Sequence, residues 1–436
     1  MTYSTDTRTL RPGETYVAIR GEVYDGHDFI ADAVAQGAAA VVTERDLTAE
    51  EAGDADVIRV ESALDFLTTR ASAALRQSGA DVVAITGSVG KTTTKTALVA
   101  VLREAFPVAY AEGNLNTPLG LSLSVLNQEA GPDTKWIMEM GARLAGDIRE
   151  LCALFPPTVS VVTTVRGVHL ETFGSLDAIE AEKGELVAGL RPGGTAVLNA
   201  DDDRVRRMAD RHAGPALLYG LAPDADIRPE HVTAELPILG DHAVHTALAA
   251  TAAGRALGMG DAAINRGLAQ IEPEKGRLAK LRGRGGSVLI DDTYNASPEA
   301  TRSALRVLAG LDAERRIALL GDMLELGEDE IAAHVDVLEA AAETADLVVA
   351  VGPLMAEAAG RLGPDARARV ETAETSAALA EAVASGEAFT LGSGDAVLVK
   401  GSQGVRMERV SAAALHLDLD PADVLPRQSL SWRQKD

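Results

Sequence analysis

The run Asp81-Val82-Val83-Ala84-Ile85-Thr86-Gly87-Ser88-Val89-Gly90-Lys91-Thr92-Thr93-Thr94 decides the fold of this chain. Its apolar first half ends at a glycine turn, which predicts a buried parallel strand. The glycines let backbone N–H groups approach phosphate oxygens, and the helix that follows adds a favourable dipole. In such a loop Lys91 contacts the β and γ phosphates, and the Thr92 hydroxyl holds Mg²⁺. The residues predicted to bind the nucleotide phosphates are Gly87, Ser88, Gly90, Lys91, Thr92 and Thr93.

The loop is a shortened form of the phosphate-binding pattern. The full pattern has another glycine five residues before Gly90, where this chain has Ile85. The alternative interpretation is an ordinary glycine turn with a solvated lysine. The order of strand, glycine turn, Gly-Lys-Thr and helix favours the phosphate loop.

Short apolar runs separated by helical stretches continue on both sides of this loop, and such alternation predicts parallel sheets with crossover helices. The Ala-rich stretch 241–270 predicts two helices, and the polar, proline-containing tail after Asp418 predicts irregular chain. The predicted strands are 15–19, 39–43, 81–86, 136–138, 159–162, 195–198, 288–292, 317–320, 347–351 and 396–399.

The length and this alternation predict an α/β fold with three domains. Residues 1–78 are expected to form a small N-terminal α/β domain. Residues 79–283 are expected to form a central domain with a parallel sheet and the phosphate loop. Residues 284–436 are expected to form a Rossmann-like C-terminal domain.

Composition narrows the function classes and the cellular compartment. The formal net charge of −24 argues against nucleic-acid binding, which relies on Lys and Arg neutralising phosphates. Cys152 is the only cysteine, so no intrachain disulfide can form and a reducing compartment fits. The polar N-terminus does not resemble a signal peptide, and no uncharged apolar run is long enough to span a bilayer. We therefore expect a cytoplasmic protein that contacts neither nucleic acid nor membrane.

Several runs of the sequence resemble segments of the Mur ligase family, from about residue 4 to about residue 409. The phosphate loop alone is typical of the whole superfamily, whereas the 291–296 and 321–327 runs are typical of its MurF type. The similar runs are Glu112-Gly113-Asn114-Leu115-Asn116-Thr117-Pro118-Leu119-Gly120, Glu139-Met140-Gly141-Ala142, His169-Leu170-Glu171-Thr172-Phe173-Gly174-Ser175, Asp291-Asp292-Thr293-Tyr294-Asn295-Ala296, Gly321-Asp322-Met323-Leu324-Glu325-Leu326-Gly327 and Val399-Lys400-Gly401-Ser402.

The resemblance implies an ATP-dependent ligase that joins a carboxylate to an amine through an acyl phosphate. Its implied substrates are UDP-N-acetylmuramoyl-tripeptide and D-alanyl-D-alanine, in peptidoglycan synthesis, with ATP and Mg²⁺ required. It also implies the three-domain Mur ligase architecture and a monomer whose domains close on substrate.

Charge on a transferring phosphoryl group must be offset, usually by Mg²⁺ and lysine. Glu139 is expected at the carboxyl end of a strand, where open α/β sheets bind their ligands. The resemblance implies that Thr92, Glu139 and His169 hold Mg²⁺. On the residues alone, Glu139 could be a surface glutamate and His169 a loop histidine without a ligand.

The charge pattern around Lys183 is that of a helix-surface lysine. The resemblance implies instead that Lys183 reacts with CO₂ to form a carbamate. A carbamate inverts the charge of the side chain, so it could contact a metal that an ammonium would repel. Lys91, His169 and Lys183 are therefore the expected catalytic residues.

The resemblance also implies contacts with the nucleotide and the other substrates. Arg277 matches an arginine near the ATP phosphates, and Asp292, Tyr294 and Asn295 match a segment near the nucleotide. Asp292 could instead belong to an ordinary polar strand end. The 25–29 run belongs with the region expected to hold the UDP-sugar end. The expected substrate contacts are Ser4, Thr5, Arg8, Asn116, Lys400 and Ser402.

The chain departs from the family pattern at two places. The run Gly240-Asp241-His242-Ala243 lacks the asparagine that reads adenine in the family, and the segment 201–240 is shorter than usual. One alternative is therefore a Mur-like ligase for another carboxylate and amine in specialised metabolism. A nucleotide-binding switch and a P-loop kinase are further alternatives. Glu139, His169 and Lys183 argue against the switch, and the C-terminal α/β unit is unexplained by the kinase.

Overall fold

The computed structural model describes residues 2–21, 23–113, 115–167, 170–429 and 432. The chain divides into two compact units. The first comprises Met1–Glu235 with Val244–Ile271, and the second comprises Leu236–Ala243 with Glu272–Asp436. The domain ranges 1–78, 79–283 and 284–436 stay a prediction.

The first unit contains two parallel sheets in the part of the chain that the structure describes. Its strands are β1 Tyr3–Ser4, β2 Thr15–Val17, β3 Ala40–Thr43, β4 Asp56–Arg59, β5 Asp81–Thr86, β6 Val108–Tyr110, β7 Lys135–Glu139, β8 Val159–Val162, β9 Thr195–Asn199 and β10 Ala216–Tyr219. The smaller sheet has the order β1-β2-β3-β4, and the larger has the order β10-β9-β8-β5-β7-β6. Because β5 lies between β7 and β8, the carboxyl ends of these three strands meet at one edge.

Helices cross between the strands of the first unit. They are α1 Ile30–Ala35, α2 Ala49–Ala52, α3 Ala63–Ser78, α4 Lys91–Arg103, α5 Pro118–Leu126, α6 Asp147–Leu154, α7 Leu170–Phe173, α8 Leu176–Ala188, α9 Asp203–Arg206, α10 Asp241–Ala256 and α11 Asp261–Leu268. Of these, α2, α3, α5, α8 and α9 begin at a side-chain cap. The side chain of Thr117 accepts the N–H of Gly120 at the start of α5, and the side chain of Ser175 caps α8 in the same way.

The second unit contains a mixed sheet with the order β11-β12-β16-β13-β14-β15, in which only the β11–β12 pair is antiparallel among the described strands. Its strands are β11 Ala279–Arg282, β12 Val288–Asp292, β13 Arg315–Gly321, β14 Leu347–Val351, β15 Val370–Ala373 and β16 Asp395–Lys400. Its helices are α12 Pro298–Gly310, α13 Glu330–Thr344, α14 Pro353–Ala359, α15 Pro364–Arg367, α16 Ser376–Ser385, α17 Glu408–Ala414 and α18 Pro421–Val424.

The central strands are buried on both faces, which explains why their sequences read as continuous apolar runs. In β5, for example, the four residues 82–85 are fully buried. Every predicted strand is confirmed within two residues at each end, and both helices in 241–270 are confirmed. The irregular chain predicted after Asp418 was wrong at Pro421–Val424, where Asp420 caps a short helix. None of the helices in the described ranges combines the length and apolar character that a bilayer crossing requires.

Residues 25–29 form a compact turn in the first unit. The Asp25 carboxylate accepts the N–H of His27 at 3.0 Å, and this hydrogen bond holds the pKa of Asp25 below its usual range. His27 is buried, and its Nε2 accepts the N–H of Glu44 at 3.0 Å. Gly26 packs so tightly that an added Cβ would lie 2.7 Å from the backbone N and O of Ile19.

We expect Gly26→Ala to destabilise the first unit by about 1–3 kcal/mol, because backbone must move to admit the methyl group. The midpoint of thermal unfolding, followed by calorimetry, should fall by several degrees. Gly131→Ala is the matched control, since a Cβ there would meet nothing within 4 Å. Equal unfolding midpoints for the two variants would contradict the packing described for Gly26.

Candidate active site

The phosphate loop joins the end of β5 to the start of α4. Gly87 has φ 145° and packs so closely that a Cβ there would lie 1.9 Å from Thr163 Oγ1. Gly90, at φ 84°, is the N-cap residue of α4 and offers no side chain to its first turn. The N–H groups of that turn, together with the helix dipole, are therefore directed at an incoming anion.

Lys91 lies in the first turn of α4 and folds back over the loop. Its Nζ donates a hydrogen bond to the carbonyl oxygen of Gly87 at 2.8 Å. Thr92 and Thr93 follow in the same turn and are partly exposed. A phosphate oxygen would be a stronger, charge-assisted acceptor for Lys91 than the carbonyl group. The predicted loop residues are thus brought together at one helix N-terminus.

The segment after β8 fixes the shape of the loop. Thr163 Oγ1 donates to the carbonyl oxygen of Val89 at 2.6 Å. Ser88 Oγ donates to the carbonyl oxygen of Arg166 at 3.0 Å and accepts the N–H of Arg166 at 2.9 Å. Sequence reasoning missed Thr163, although its position directly after a predicted neighbouring strand was a usable signal.

Glu139 ends β7 and is 5% exposed. Its Oε1 accepts a hydrogen bond from Asn116 Nδ2 at 3.1 Å, so the structure places Asn116 against this carboxylate. Its Oε2 is buried and has no hydrogen-bond partner among the described residues. Burying an unpaired oxygen costs about 1–3 kcal/mol, so a bound cation would satisfy this atom. The carboxylate therefore fits Mg²⁺, which prefers oxygen ligands.

His169 lies outside the described residues, so its role as a metal ligand stays a prediction. Within the described ranges no group of three or more His, Cys, Asp and Glu side chains could hold a metal ion. Mg²⁺ commonly binds through one or two carboxylates, retained waters and substrate phosphates. A single protein carboxylate beside a phosphate loop is consistent with that mode of binding.

Lys183 lies in α8 and is 5% exposed, so it is not the surface lysine that its charge pattern suggests. Burial, and after it the charge of Lys91, lower the pKa of Lys183 to about 8. The neighbouring Glu182 accepts the N–H groups of Gly146 and Ile148 at 2.7 and 2.8 Å, which fixes this part of α8.

The phosphate loop and Lys183 border one cavity of about 390 Å³ in the first unit, and Asn116, the hydrogen-bond partner of Glu139, also lines it. Of the predicted site residues, five line it: Gly87, Ser88, Lys91, Asn116 and Lys183. Arg143, Asp147 and Glu150 contribute further charged side chains to the wall. The cavity thus brings together a phosphate loop, two lysines and an acidic edge.

Ser4, Thr5 and Arg8 lie at the end of β1, away from the lining of this cavity. Arg8 is 86% exposed at its side chain and pairs with Asp6 at 2.6 Å. Helix α5 connects the two regions. The side-chain oxygen of Asn127, directly after the helix, accepts the backbone N–H of Tyr3 at 2.7 Å, and Thr117, directly before the helix, lines the cavity. The predicted contacts with the UDP end stay a prediction.

The remaining predicted residues form a cluster in the second unit. Lys400 Nζ lies 2.6 Å from Asp292 Oδ2 and donates to the carbonyl oxygen of Asn295 at 2.8 Å. The Arg277 guanidinium lies 4.2 Å from the centre of the Tyr294 ring. Ser402 Oγ accepts the N–H of Leu324 at 2.9 Å. Asp292 is therefore engaged by a buried lysine, and its predicted nucleotide role remains a prediction.

Comparison with known proteins finds relatives over most of the chain. Residues 85–254 match the Mur ligase middle domain, residues 276–403 match the Mur ligase glutamate ligase domain, and residues 2–75 match the Mur ligase family catalytic domain. The UDP-N-acetylmuramoyl-tripeptide–D-alanyl-D-alanine ligase of Escherichia coli strain K12 is 34% identical over 371 residues, which cover 80% of this chain and 80% of that ligase.

Solved structures are similar as well. A crystal structure of MurF from Acinetobacter baumannii has a TM-score of 0.85 at 28% identity, covering 94% of this chain and 92% of that chain. The MurF ligase from Thermotoga maritima in complex with ADP has a TM-score of 0.78 at 29% identity, covering 94% of this chain and 96% of that chain. These matches confirm the predicted fold class, an α/β protein with the three-domain Mur ligase architecture.

We expect Glu139→Gln to raise the Mg²⁺ concentration needed for half-maximal ATP turnover by about tenfold or more, because the buried oxygen loses its charge. Asn116→Ala should cause a smaller shift in the same direction, since Asn116 orients that carboxylate. The double variant should be no worse than Glu139→Gln alone.

Glu150→Gln is the matched control, because Glu150 lines the same cavity but is exposed. Its Mg²⁺ requirement should match that of the unchanged protein. Independent, additive effects of the Glu139 and Asn116 substitutions would count against a shared role.

Proposed function

The chain belongs to the Mur ligase family, and on this premise we propose that it joins D-alanyl-D-alanine to UDP-N-acetylmuramoyl-tripeptide at the expense of ATP, in peptidoglycan synthesis. One observation carries the proposal within the chain itself. The phosphate loop with Lys91 and the buried Lys183 line the same cavity, beside an acidic strand end. A protein that only binds nucleotide has no need of the second, buried lysine.

The reaction consists of two displacements. An oxygen of the acceptor carboxylate attacks the γ-phosphorus of ATP, and ADP leaves. The amine nitrogen of the dipeptide then attacks the acyl carbon, loses a proton and expels phosphate. The acyl phosphate must form first, because a free carboxylate does not react with an amine at a useful rate.

The residues of the chain hold and neutralise the phosphates during the first step. The N–H groups at the start of α4 bind phosphate oxygens, and Lys91 exchanges the Gly87 carbonyl for the β and γ phosphates. Thr92 and Glu139 would hold Mg²⁺, which offsets the charge that develops on the transferring phosphoryl group. Asn116 keeps one oxygen of Glu139 engaged, so that the unpaired oxygen is oriented for the ion.

We also propose that Lys183 carries a carbamate. Carbamate formation requires a neutral amine, which attacks CO₂ and releases a proton. With a pKa of about 8, roughly one tenth of Lys183 would be neutral at pH 7, against well under a thousandth for an ordinary lysine. The product carries one negative charge, which the neighbouring ammonium of Lys91 would stabilise instead of opposing.

The proposal also assigns binding of the acceptor and the amine to residues near the N-terminus and in the second unit. Ser4, Thr5 and Arg8 would contact the UDP end of the acceptor, and Lys400 and Ser402 would contribute from the second unit. Ala243 stands where the family has an adenine-reading asparagine and is buried, so another group must discriminate the base. Because the reaction consumes ATP, we place it in the cytoplasm, and we propose that the protein acts as a monomer.

Lys183→Ala should lose most of the ligase activity, and an added short-chain carboxylic acid should restore part of it by replacing the carbamate. In the unchanged protein, ¹³C-labelled CO₂ should give a carbamate signal by NMR whose occupancy rises between about pH 6 and 8 at fixed dissolved CO₂, as the amine becomes neutral.

Lys95→Met is the control for this signal. Lys95 is the same residue type and 4% exposed, but its Nζ donates to the carbonyl oxygens of Ala111 and Gly113 at 3.1 and 2.7 Å. It should stay unmodified, so the carbamate signal should persist in Lys95→Met. A carbamate signal that survives in Lys183→Ala, or full activity of that variant without rescue, would refute the proposal.

The substrate assignment is tested by phosphate release from the purified protein with ATP, the tripeptide acceptor and a panel of amines. Release should require D-alanyl-D-alanine and should be absent with D-alanine, L-alanine or L-lysine alone. Lys91→Ala supplies the inactive control, because its loss should lower the rate on the order of 10³-fold or more.

Two outcomes would contradict the assignment in different ways. Activity with a single amino acid but not with the dipeptide would refute the substrate while leaving the ligase chemistry intact. ATP turnover only with a carboxylate other than the muramoyl peptide would move the protein to specialised metabolism.

A further inference from the structure

Arg427, close to the C-terminus of the described chain, binds the backbone of the segment expected near the nucleotide. Its Nη1 donates to the carbonyl oxygen of Thr293 at 3.0 Å, and its Nη2 donates to the carbonyl oxygen of Tyr294. We infer that Arg427 is a positioning residue for nucleotide binding, which acts by fixing the 293–295 loop. The inference rests on the proposed function and on the expectation from the sequence that Tyr294 and Asn295 lie near the nucleotide.

Two guanidinium groups of the second unit contact the Tyr294 ring. The Cζ of Arg277 lies 4.2 Å from the ring centre, and the Cζ of Arg427 lies 5.3 Å from it. Each such cation–π contact is attractive, and more strongly so where the pair is desolvated. Arg427 therefore restrains the side chain of Tyr294 as well as its carbonyl group.

Arg427 is itself fixed in a buried ion cluster. Its side chain is 7% exposed, and its Nη1 lies 3.3 Å from Glu408 Oε2. The other carboxylate oxygen of Glu408 accepts a hydrogen bond from Arg406 Nε at 2.7 Å. Two buried guanidinium groups thus share one carboxylate. The carbonyl groups of the loop accept hydrogen bonds from Arg427 and so help to offset the cost of burying its positive charge.

The backbone at Arg427 has an unusual conformation. Its φ of 55° lies in the left-handed region, which is unfavourable for a residue other than glycine. Such a conformation persists only where surrounding contacts enforce it. Here those contacts are the carbonyl groups of Thr293 and Tyr294 and the carboxylate of Glu408. The left-handed backbone at Arg427 thus places its guanidinium against the loop.

The residue before Arg427 closes the packing around the loop. Tyr294 N donates to the carbonyl oxygen of Gly276 at 3.0 Å. A Cβ on Gly276 would lie 2.9 Å from Pro426 Cγ and 3.0 Å from Tyr294 N. Residues 276–277, 293–295 and 426–427 therefore form one close-packed group, in which movement of the tail would move the loop.

We expect Arg427→Ala to raise the KM for ATP and the Kd for ADP by about tenfold, with the KM values for the acceptor and the dipeptide changed less than twofold. Arg427→Lys should give an intermediate value, because an ammonium is a point donor that lacks the planar fork of the guanidinium. Calorimetry measures ADP binding directly and does not depend on turnover. Should Arg427→Ala fail to fold, the comparison of Arg427→Lys with the control below decides the question.

Arg316→Ala and Arg316→Lys are the matched controls. The guanidinium of Arg316 also donates to two backbone carbonyl groups, those of Leu308 and Leu311, at 3.2 and 2.7 Å. These substitutions should lower thermal stability without changing ADP affinity. A selective effect on nucleotide at position 427 distinguishes positioning from a general loss of stability.

The outcomes separate failure of the inference from failure of the proposed function. ADP affinity of the Arg427 variants equal to that of the unchanged protein would overturn the inference and leave the ligase assignment standing. If the unchanged protein does not bind ADP, the proposed function fails and the inference fails with it. Equal losses of affinity at positions 427 and 316 would also overturn the inference.

Discussion

The close approach of Gly87 to Thr163 is the constraint on which the phosphate site depends. A Cβ at Gly87 would lie 1.9 Å from the threonine oxygen, so only glycine lets β5 turn into α4 against the end of β8. The same threonine donates to the carbonyl of Val89, which fixes the far side of the turn. The loop is therefore shaped by a neighbouring strand before any ligand binds, and preorganisation of this kind lowers the free energy needed to order the site.

Electrostatics in the cavity are unbalanced in a way that suits a ligand of high negative charge. Burial, and after it the charge of Lys91, lower the pKa of Lys183, whereas one oxygen of Glu139 is buried without a partner among the described residues. Like charges held together and an unpaired acceptor are both unfavourable in the absence of ligand. Modification of Lys183 would remove the repulsion between the two lysines. The cation that accompanies the phosphates would pair with the free oxygen of Glu139. The proposed chemistry would therefore also stabilise the site.

Sequence reasoning predicted the buried elements well and the edges poorly. The interior strands β5 and β12 contain uninterrupted, mostly buried apolar runs, whereas β4 and β15 at sheet edges carry exposed polar residues and give no such signal. The phosphate loop is a local motif, so its residues could be predicted from their order alone. The burial of Lys183 and the bond between Asn116 and Glu139 depend on helix packing and on residues 23 positions apart, which periodicity does not encode.

The 293–295 segment of the second unit, for which a nucleotide contact is proposed, illustrates how such non-local contacts fix a loop. The 293–295 loop follows β12 and would be free to move if it were tied only through the strand. Asp291 accepts the Thr293 hydroxyl at 2.9 Å, Lys400 donates to the Asn295 carbonyl at 2.8 Å, and Arg427 donates to the two carbonyls between them. These anchors come from three separate parts of the chain, so each restrains a different direction of movement. A loop held in this way loses little conformational entropy when a ligand binds, so the proposed affinity for nucleotide would depend on residues that need not touch the nucleotide.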